Sequence, residues 1–338
     1  MEKVKTEINL NNLVENALKI KSISKKDLIA VVKSNAYGFG CFEVVDALRK
    51  AGVNYFAVLD FKEAKTLLEK EIEENILLLN SIDEEDYYEI KKHNNIVLSV
   101  NNLNDAILLN KIIESKRRVH IQIDTGMRRL GAKTKVEFNE IKEILLKNPF
   151  IEIEGVYTHF CGVESATKQL ERFKNILKKD NYKMIHCAAS CTMDKIDFGN
   201  YVRVGLALYG ALSGMKNIIT VKVKPLTINS LEKNTTLGYL EAYKTSKKER
   251  IAVLPVGYAD GFFQAFQNLE VYVGEKSFNV VGRICMNHIY VRVDDDITLD
   301  SEFVLISEKN PIYKLSQIHK ISPYEICTGL NMKKTYKW

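Results

Sequence analysis

The chain has 338 residues, a net charge of +6, 46% hydrophobic and 27% charged residues, which is the make-up of a soluble globular protein with room for one large barrel and a smaller domain. Its lysines are interleaved with acids, as in Lys247, Lys248, Glu249 and Arg250, so the charge reads as solvated faces and not as a nucleic-acid footprint. No apolar run approaches the roughly 20 residues that span a bilayer.

The opening MEKVKTEINLNN is charged and lacks the apolar core of a signal peptide. Within it Val4–Leu10 alternates as a strand does. From Leu28 to about Gly210 short apolar runs alternate with segments of helical period. The expected strands are Ile29–Val32, Tyr55–Leu59, Ile76–Leu79, Ile96–Val100, Val119–Asp124, Ile153–Tyr157, Met184–His186 and Tyr201–Val204. The expected helices are Glu43–Ala51, Lys62–Glu71, Asp83–Lys92, Leu103–Ser115, Val136–Lys147 and Lys168–Lys179, with one or two helical turns between the last two strands. Eight such repeats predict an α/β protein built on a (β/α)8 TIM barrel.

After Gly210 the texture changes. Val221–Val223, Arg250–Pro255, Val271–Val273, Ser277–Val281, Ile289–Val293 and Glu302–Ile306 read as strands of a mostly β domain, with a first helical pattern only at Leu315–His319. The expected division is a barrel over 11–214 and a β domain over 215–338, joined by the N-terminal strand 1–10. The six cysteines form no CxxC pair. Cys187 and Cys191 beside His186 have no second pair to complete a metal site, so reduced thiols and a cytoplasmic location are expected, with no metal.

Barrel enzymes carry their chemistry at the carboxyl ends of strands, and phosphate is often held after strands seven and eight. Lys33 directly follows the first apolar run, Leu28–Val32. Alone it reads as an ordinary strand-end lysine. Burial would lower its pKa and free its lone pair for Schiff-base chemistry. Asp124, Thr125 and Gly126 end strand five, with Arg129 just beyond. His159 ends strand six, Ser190 follows strand seven, and Arg203 lies near the end of strand eight, before Gly205 and Leu206. A serine hydroxyl with backbone N–H groups at a glycine turn makes an anion cradle. Together these are the parts needed to hold pyridoxal 5'-phosphate.

The blocks AVVKSNAYGFG (30–40), DTGMRRLG (124–131), THF (158–160), VRVGLALYG (202–210), PVGYADG (255–261) and VGRICM (281–286) follow one another in the order of the alanine racemases, fold-type III pyridoxal phosphate enzymes. The chain resembles that family over nearly its whole length. By matching position, the resemblance implies that Lys33 holds the cofactor and that Tyr37, Ser190, Gly205 and Leu206 bind its phosphate. It places His159 against the pyridine ring and Arg203 at the ring nitrogen, with His186 behind it. It gives Arg129 and the Met286 N–H to the substrate carboxylate. It implies two bases, Lys33 and a tyrosine of the partner subunit, matched by Tyr239 with Tyr243 as the alternative. A homodimer with shared sites, acting on a small amino acid, follows. So does a role in supplying D-alanine for the cell wall.

The chain departs from the family in several places. Gln122 stands where many relatives have a carbamylated lysine, leaving an amide oxygen as an acceptor for Arg129. Ala189, Asn287 and Arg128 replace an Asn, an Asp and a Gly. In CTGLNMKK (327–334) Asn331 matches a tyrosine that narrows the substrate entrance. The serine/alanine racemases of vancomycin-resistance clusters have an asparagine there, so serine is expected beside alanine. The competing readings are a non-catalytic pyridoxal phosphate homeostasis protein, a fold-type III decarboxylase, and a broad-specificity racemase for basic amino acids. The β domain with its tyrosine weighs against the first. Arg203 weighs against the second, because a decarboxylase would carry an acid there. The usual export of the third weighs against it.

Overall fold

The computed structural model describes residues 3–178 and 180–338, so the first two residues of the expected N-terminal strand and the last of the expected helix Lys168–Lys179 lie outside the described residues. The chain opens with strand β1 (Val4–Asn9). The barrel strands are β2 (Asp27–Val31), β3 (Tyr55–Val58), β4 (Asn75–Leu78), β5 (Ile96–Val100), β6 (Arg117–Gln122), β7 (Ile151–Tyr157), β8 (Met184–Ala188) and β9 (Tyr201–Val204). They close in chain order, β9 pairing in parallel with β2. All eight expected strands are present. Their β-branched and leucine-rich centres are buried on both faces, which is why they read as continuous apolar runs and not as alternating ones.

The helices between them start where short polar side chains can satisfy the first free N–H groups. The side chains of Asp60, Asp83, Asn102 and Thr134 accept from the backbone N–H of Glu63, Asp86, Asp105 and Glu137, each contact supporting its helix by about 1 kcal/mol. The expected helical turns between β8 and β9 are replaced by turn structure at 190–195, where Ser190 sits. A helix over Leu10–Ser24, missed in the sequence reading, leads into the barrel.

The remaining strands are β10 (Ile219–Val223), β11 (Thr227–Leu231), β12 (Thr236–Leu237), β13 (Tyr243–Lys244), β14 (Glu249–Leu254), β15 (Glu270–Val273), β16 (Lys276–Val281), β17 (Ile289–Val293), β18 (Phe303–Ile306) and β19 (Lys334–Lys337). Nine strands form one sheet in the order β11-β14-β17-β16-β15-β18-β10-β1-β19, so the N-terminal strand belongs to it, paired with β10 and β19. β12 and β13 form a separate hairpin. The short polar strands β11, β12, β13 and β19 were not anticipated, because their alternation is too weak to see. By contact the chain divides into two compact units. One holds Val14–Ala36 and Cys41–Leu208, and the other holds the chain up to Leu13, Tyr37–Gly40 and Tyr209–Trp338. Among the described residues no helix is long and apolar enough to cross a membrane.

Candidate active site

Past the end of β2 the backbone turns left-handed. Ser34, Asn35, Ala36 and Tyr37 have φ of 53°, 53°, 52° and 56°, and Ala36 N–H donates to Val32 O at 2.8 Å to close the turn. L-residues resist this conformation by roughly 1–2 kcal/mol each. Side chains hold it in place. Glu63 accepts from Ser34 N–H at 2.7 Å, and Asn35 Oδ1 accepts from Cys41 N–H at 2.8 Å. Such strain collects at functional sites, and here it adjoins Lys33. The ammonium of Lys33 is half-buried and its pKa is lowered. Burial is the main cause, the charges of Arg129 and Arg203 add to it, and Glu63 opposes.

Arg203 is buried under a fixed set of acceptors. Nη1 donates to His186 Nδ1 at 2.8 Å, and Nη2 donates to Thr158 O and to His159 Nδ1, both at 3.1 Å. Its guanidinium lies 4.9 Å from the ring centre of Tyr157, which stacks on His186. His159 is held neutral, its pKa lowered to about 3 by burial and then by Arg203, Arg129 and Lys33. Arg129 is exposed, with no hydrogen bond or ion pair among the described residues, which leaves a guanidinium available for a carboxylate. Gln122 does not reach it. Its Oε1 takes the hydroxyl of Tyr157 at 2.8 Å, so the expectation that this amide supports Arg129 is corrected.

Ser190 is buried, and its Oγ accepts from Ala207 N–H at 3.2 Å. Gly205 and Leu206 are buried too, and among the described residues their N–H groups find no acceptor. Buried N–H groups without partners are rare and point to a bound acceptor. An amine of depressed pKa, a clamped arginine and two orphaned donors beside a serine fit pyridoxal phosphate. Lys33 would take its aldehyde, Arg203 its ring nitrogen, and the Ser190–Gly205–Leu206 cradle its phosphate.

In the other unit, Tyr37 is buried with its ring 4.9 Å from Tyr209 and 5.9 Å from Tyr324. Tyr239 lies in a tight turn, 70% exposed, beside the equally bare Leu240. The nearby Tyr243 is committed elsewhere. Its hydroxyl donates to Glu249, and burial, then Glu249, raises its pKa. Met286 is exposed on a loop held against Gly257, where a Cβ would lie 2.3 Å from Met286 O. Asn331 is exposed, and its N–H donates to Asp260 O at 3.3 Å.

Sequence reading missed the polar interior of the barrel. Tyr55, His120 and Glu154 meet there, on strands of which only the apolar residues stand out in the sequence. A trace of it was present: His120 and Gln122 fall two apart on one strand, hence on one face.

Comparison with known proteins gives one answer throughout. The family model described as "Alanine racemase, N-terminal domain" matches residues 8–213, and "Alanine racemase, C-terminal domain" matches 218–337. The alanine racemase of Clostridium kluyveri is 34% identical over 334 residues, covering 90% of this chain and 85% of that one. Among solved structures, alanine racemase of Clostridium difficile superposes with a TM-score of 0.90 at 30% identity, covering 100% and 96% of the two chains. That of Bartonella henselae, which carries covalently bound pyridoxal phosphate, has a TM-score of 0.89 at 26% identity and covers 100% of each.

Proposed function

Because the chain belongs to the alanine racemase family and depends on pyridoxal phosphate, we propose that it interconverts L- and D-alanine with two bases, Lys33 on one face of the substrate and Tyr239 of a partner subunit on the other. The observation that carries this reading is Lys33 itself. It is an amine at the mouth of the first barrel strand, half-buried and flanked by the charges of Arg129 and Arg203, which lower its pKa and make its lone pair easier to free than that of a solvated lysine. Bound there, the cofactor supplies the electron sink that makes the α-proton labile. Lys33 takes or returns that proton on its own side. Arg203 donates a hydrogen bond without surrendering its proton, which moderates the sink and favours proton return over transamination.

Arg129, whose guanidinium has no partner among the described residues, holds the substrate carboxylate. Tyr239 is preferred over Tyr243 as the second base, since its phenol is exposed while that of Tyr243 is spent on Glu249. The exposed Tyr239–Leu240 turn supports a homodimer in which each subunit completes the other's site. Serine is accepted beside alanine, on the support of Asn331, whose short side chain makes no hydrogen bond among the described residues. The test is a racemisation panel of both enantiomers of alanine and serine on the cofactor-loaded protein, with Lys33→Ala as the blank. Failure on alanine would sink the racemase reading, and failure on serine alone would sink the part that rests on Asn331.

A further inference from the structure

A buried chain of hydrogen bonds leaves the back of Arg203 and crosses the barrel interior. Beyond the Arg203–His186 contact, His186 Nε2 lies 2.9 Å from His120 Nδ1, and His120 Nε2 lies 3.3 Å from Glu154 Oε2. Both imidazoles and the carboxylate are almost wholly inaccessible to solvent. Only one placement of protons suits this geometry. An arginine can only donate, so His186 Nδ1 must present a lone pair and its proton must sit on Nε2. That proton points at His120 Nδ1, which therefore accepts. His120 in turn carries its own proton on Nε2 and gives it to Glu154. Every donor faces the same way, from the cation at the barrel mouth to the anion at the other end.

The backbone is shaped around this chain. β6 and β7 pair Val119 with Ile153 and then His120 with Gly155, leaving Glu154 as an extra residue. β8 and β9 pair His186 with Tyr201 and then Ala188 with Val202, so Cys187 is extra. Bulges between parallel strands are rare, and they re-aim side chains. The first lets the consecutive residues Glu154 and Gly155 both face His120. A Cβ on Gly155 would lie 2.9 Å from the imidazole, so only glycine leaves room for that ring.

The far end is anchored as well. Glu154 Oε2 accepts from the Tyr55 hydroxyl at 3.0 Å, while Oε1 meets Lys183 Nζ at 3.0 Å and Arg118 Nη1 at 3.5 Å. Burial alone would raise the pKa of this carboxyl, but its bonds from His120 and Lys183 hold it far below the usual range, so it stays an anion. Burial likewise keeps both imidazoles neutral.

We infer that Glu154 is a positioning residue for Arg203: through His120 and His186 it fixes which imidazole nitrogen faces the guanidinium, and so where the arginine's donors point. The inference rests on the reading of Arg203 as partner of the cofactor's ring nitrogen. With six histidines in the chain, 15N-histidine labelling can resolve it. In the wild-type protein, with and without cofactor, long-range proton–nitrogen spectra are expected to show His120 and His186 neutral and protonated at Nε2.

In Glu154→Leu the carboxylate acceptor is lost, and only the neutral Tyr55 hydroxyl, 3.3 Å away, is left before His120 Nε2 as a weaker one. The Nδ1–H form of His120 then appears, and kcat falls on the order of 10-fold with little change in KM. Glu154→Gln keeps an acceptor oxygen, so it retains the wild-type tautomers and most of kcat. An Nδ1–H form at either histidine of the wild type overturns the inference. So does a folded Glu154→Leu protein with unchanged tautomers and kcat. If the leucine variant does not fold, the wild-type spectra and the glutamine variant still decide. A wild type with the expected tautomers but no alanine turnover would uphold the chain and count against the racemase reading instead.

Discussion

Glu63 ties Ser34 to the second barrel strand. One carboxylate oxygen accepts from Ser34 N–H at 2.7 Å and the other from Leu59 N–H at 2.8 Å. One side chain thus braces the left-handed turn after Lys33 and faces the lysine's charge.

Glu63→Gln should therefore have two separable effects. The amide keeps one acceptor oxygen, so one of the two N–H groups loses its partner, at a cost of about 0.5–1.5 kcal/mol. Lys33, already lowered by burial and by Arg129, also loses the negative charge that opposes them, so its pKa falls further. Urea unfolding reads the first effect. A shift to lower pH in the covalent capture of pyridoxal phosphate reads the second. Unchanged results in both would show that Glu63 neither braces the turn nor acts on the lysine.

The two tyrosines should behave differently. Tyr239→Phe is expected to lower racemisation by about 10²–10⁴-fold. Solvent deuterium exchange at the α-carbon should persist for the one enantiomer served by Lys33. Tyr243→Phe should cost about 1 kcal/mol of stability through Glu249 and leave turnover nearly intact. The reverse pattern would reassign the second base.

Arg203→Glu puts a carboxylate where Thr158 O and two imidazole lone pairs now receive donors. Racemisation should drop by about 100-fold, and pyruvate from transamination should accumulate. His159, kept neutral by burial and then by Arg203, should titrate at higher pH. A variant that racemises normally and forms no pyruvate would remove Arg203 from control of the reaction.

Stability should fall in mild acid. His120, His159 and His186 all have pKa values below the ordinary one, with burial the first cause in each. In the unfolded chain they bind protons below about pH 6.5. Their stabilising contribution is therefore complete above that pH and is lost as pH falls, down to about 3 for His159. Each can contribute a slope of up to about 1.4 kcal/mol per pH unit. The folded pKa of Glu154 is depressed despite its burial, so its contribution is lost only at still lower pH. Urea denaturation of the cofactor-free protein on either side of about pH 6.5 tests this. A flat profile would mean that the imidazoles are solvated.

The barrel was legible in the chain because its strands are buried on both faces, so each stands out as a β-branched run between capped helices. The rim residues were legible because a barrel places its working groups at strand ends: Lys33, His159 and Ser190 fall just past β2, β7 and β8, and Arg203 is the last residue but one of β9. Resemblance to the racemases carried the rest of the proposed site. The left-handed turn was not legible, since Ser34 and Ala36 have no preference for positive φ. In the folded chain the turn is held by bonds to Val32 O, the Glu63 carboxylate and Asn35 Oδ1, the second of these from another part of the barrel rim.

Sequence alone determined the eight-strand order, the family and which residues stand at the strand ends, since these depend on local pattern and on position along the chain. Tertiary structure alone decided that Gln122 serves Tyr157 and not Arg129, and that Tyr243 is tied to Glu249. It also decided that His120 and Glu154 stand in line behind Arg203. These are choices among acceptors from strands far apart in the chain. They are made when the barrel closes and two extra residues shift the register, because a buried donor must then take whichever lone pair is within reach.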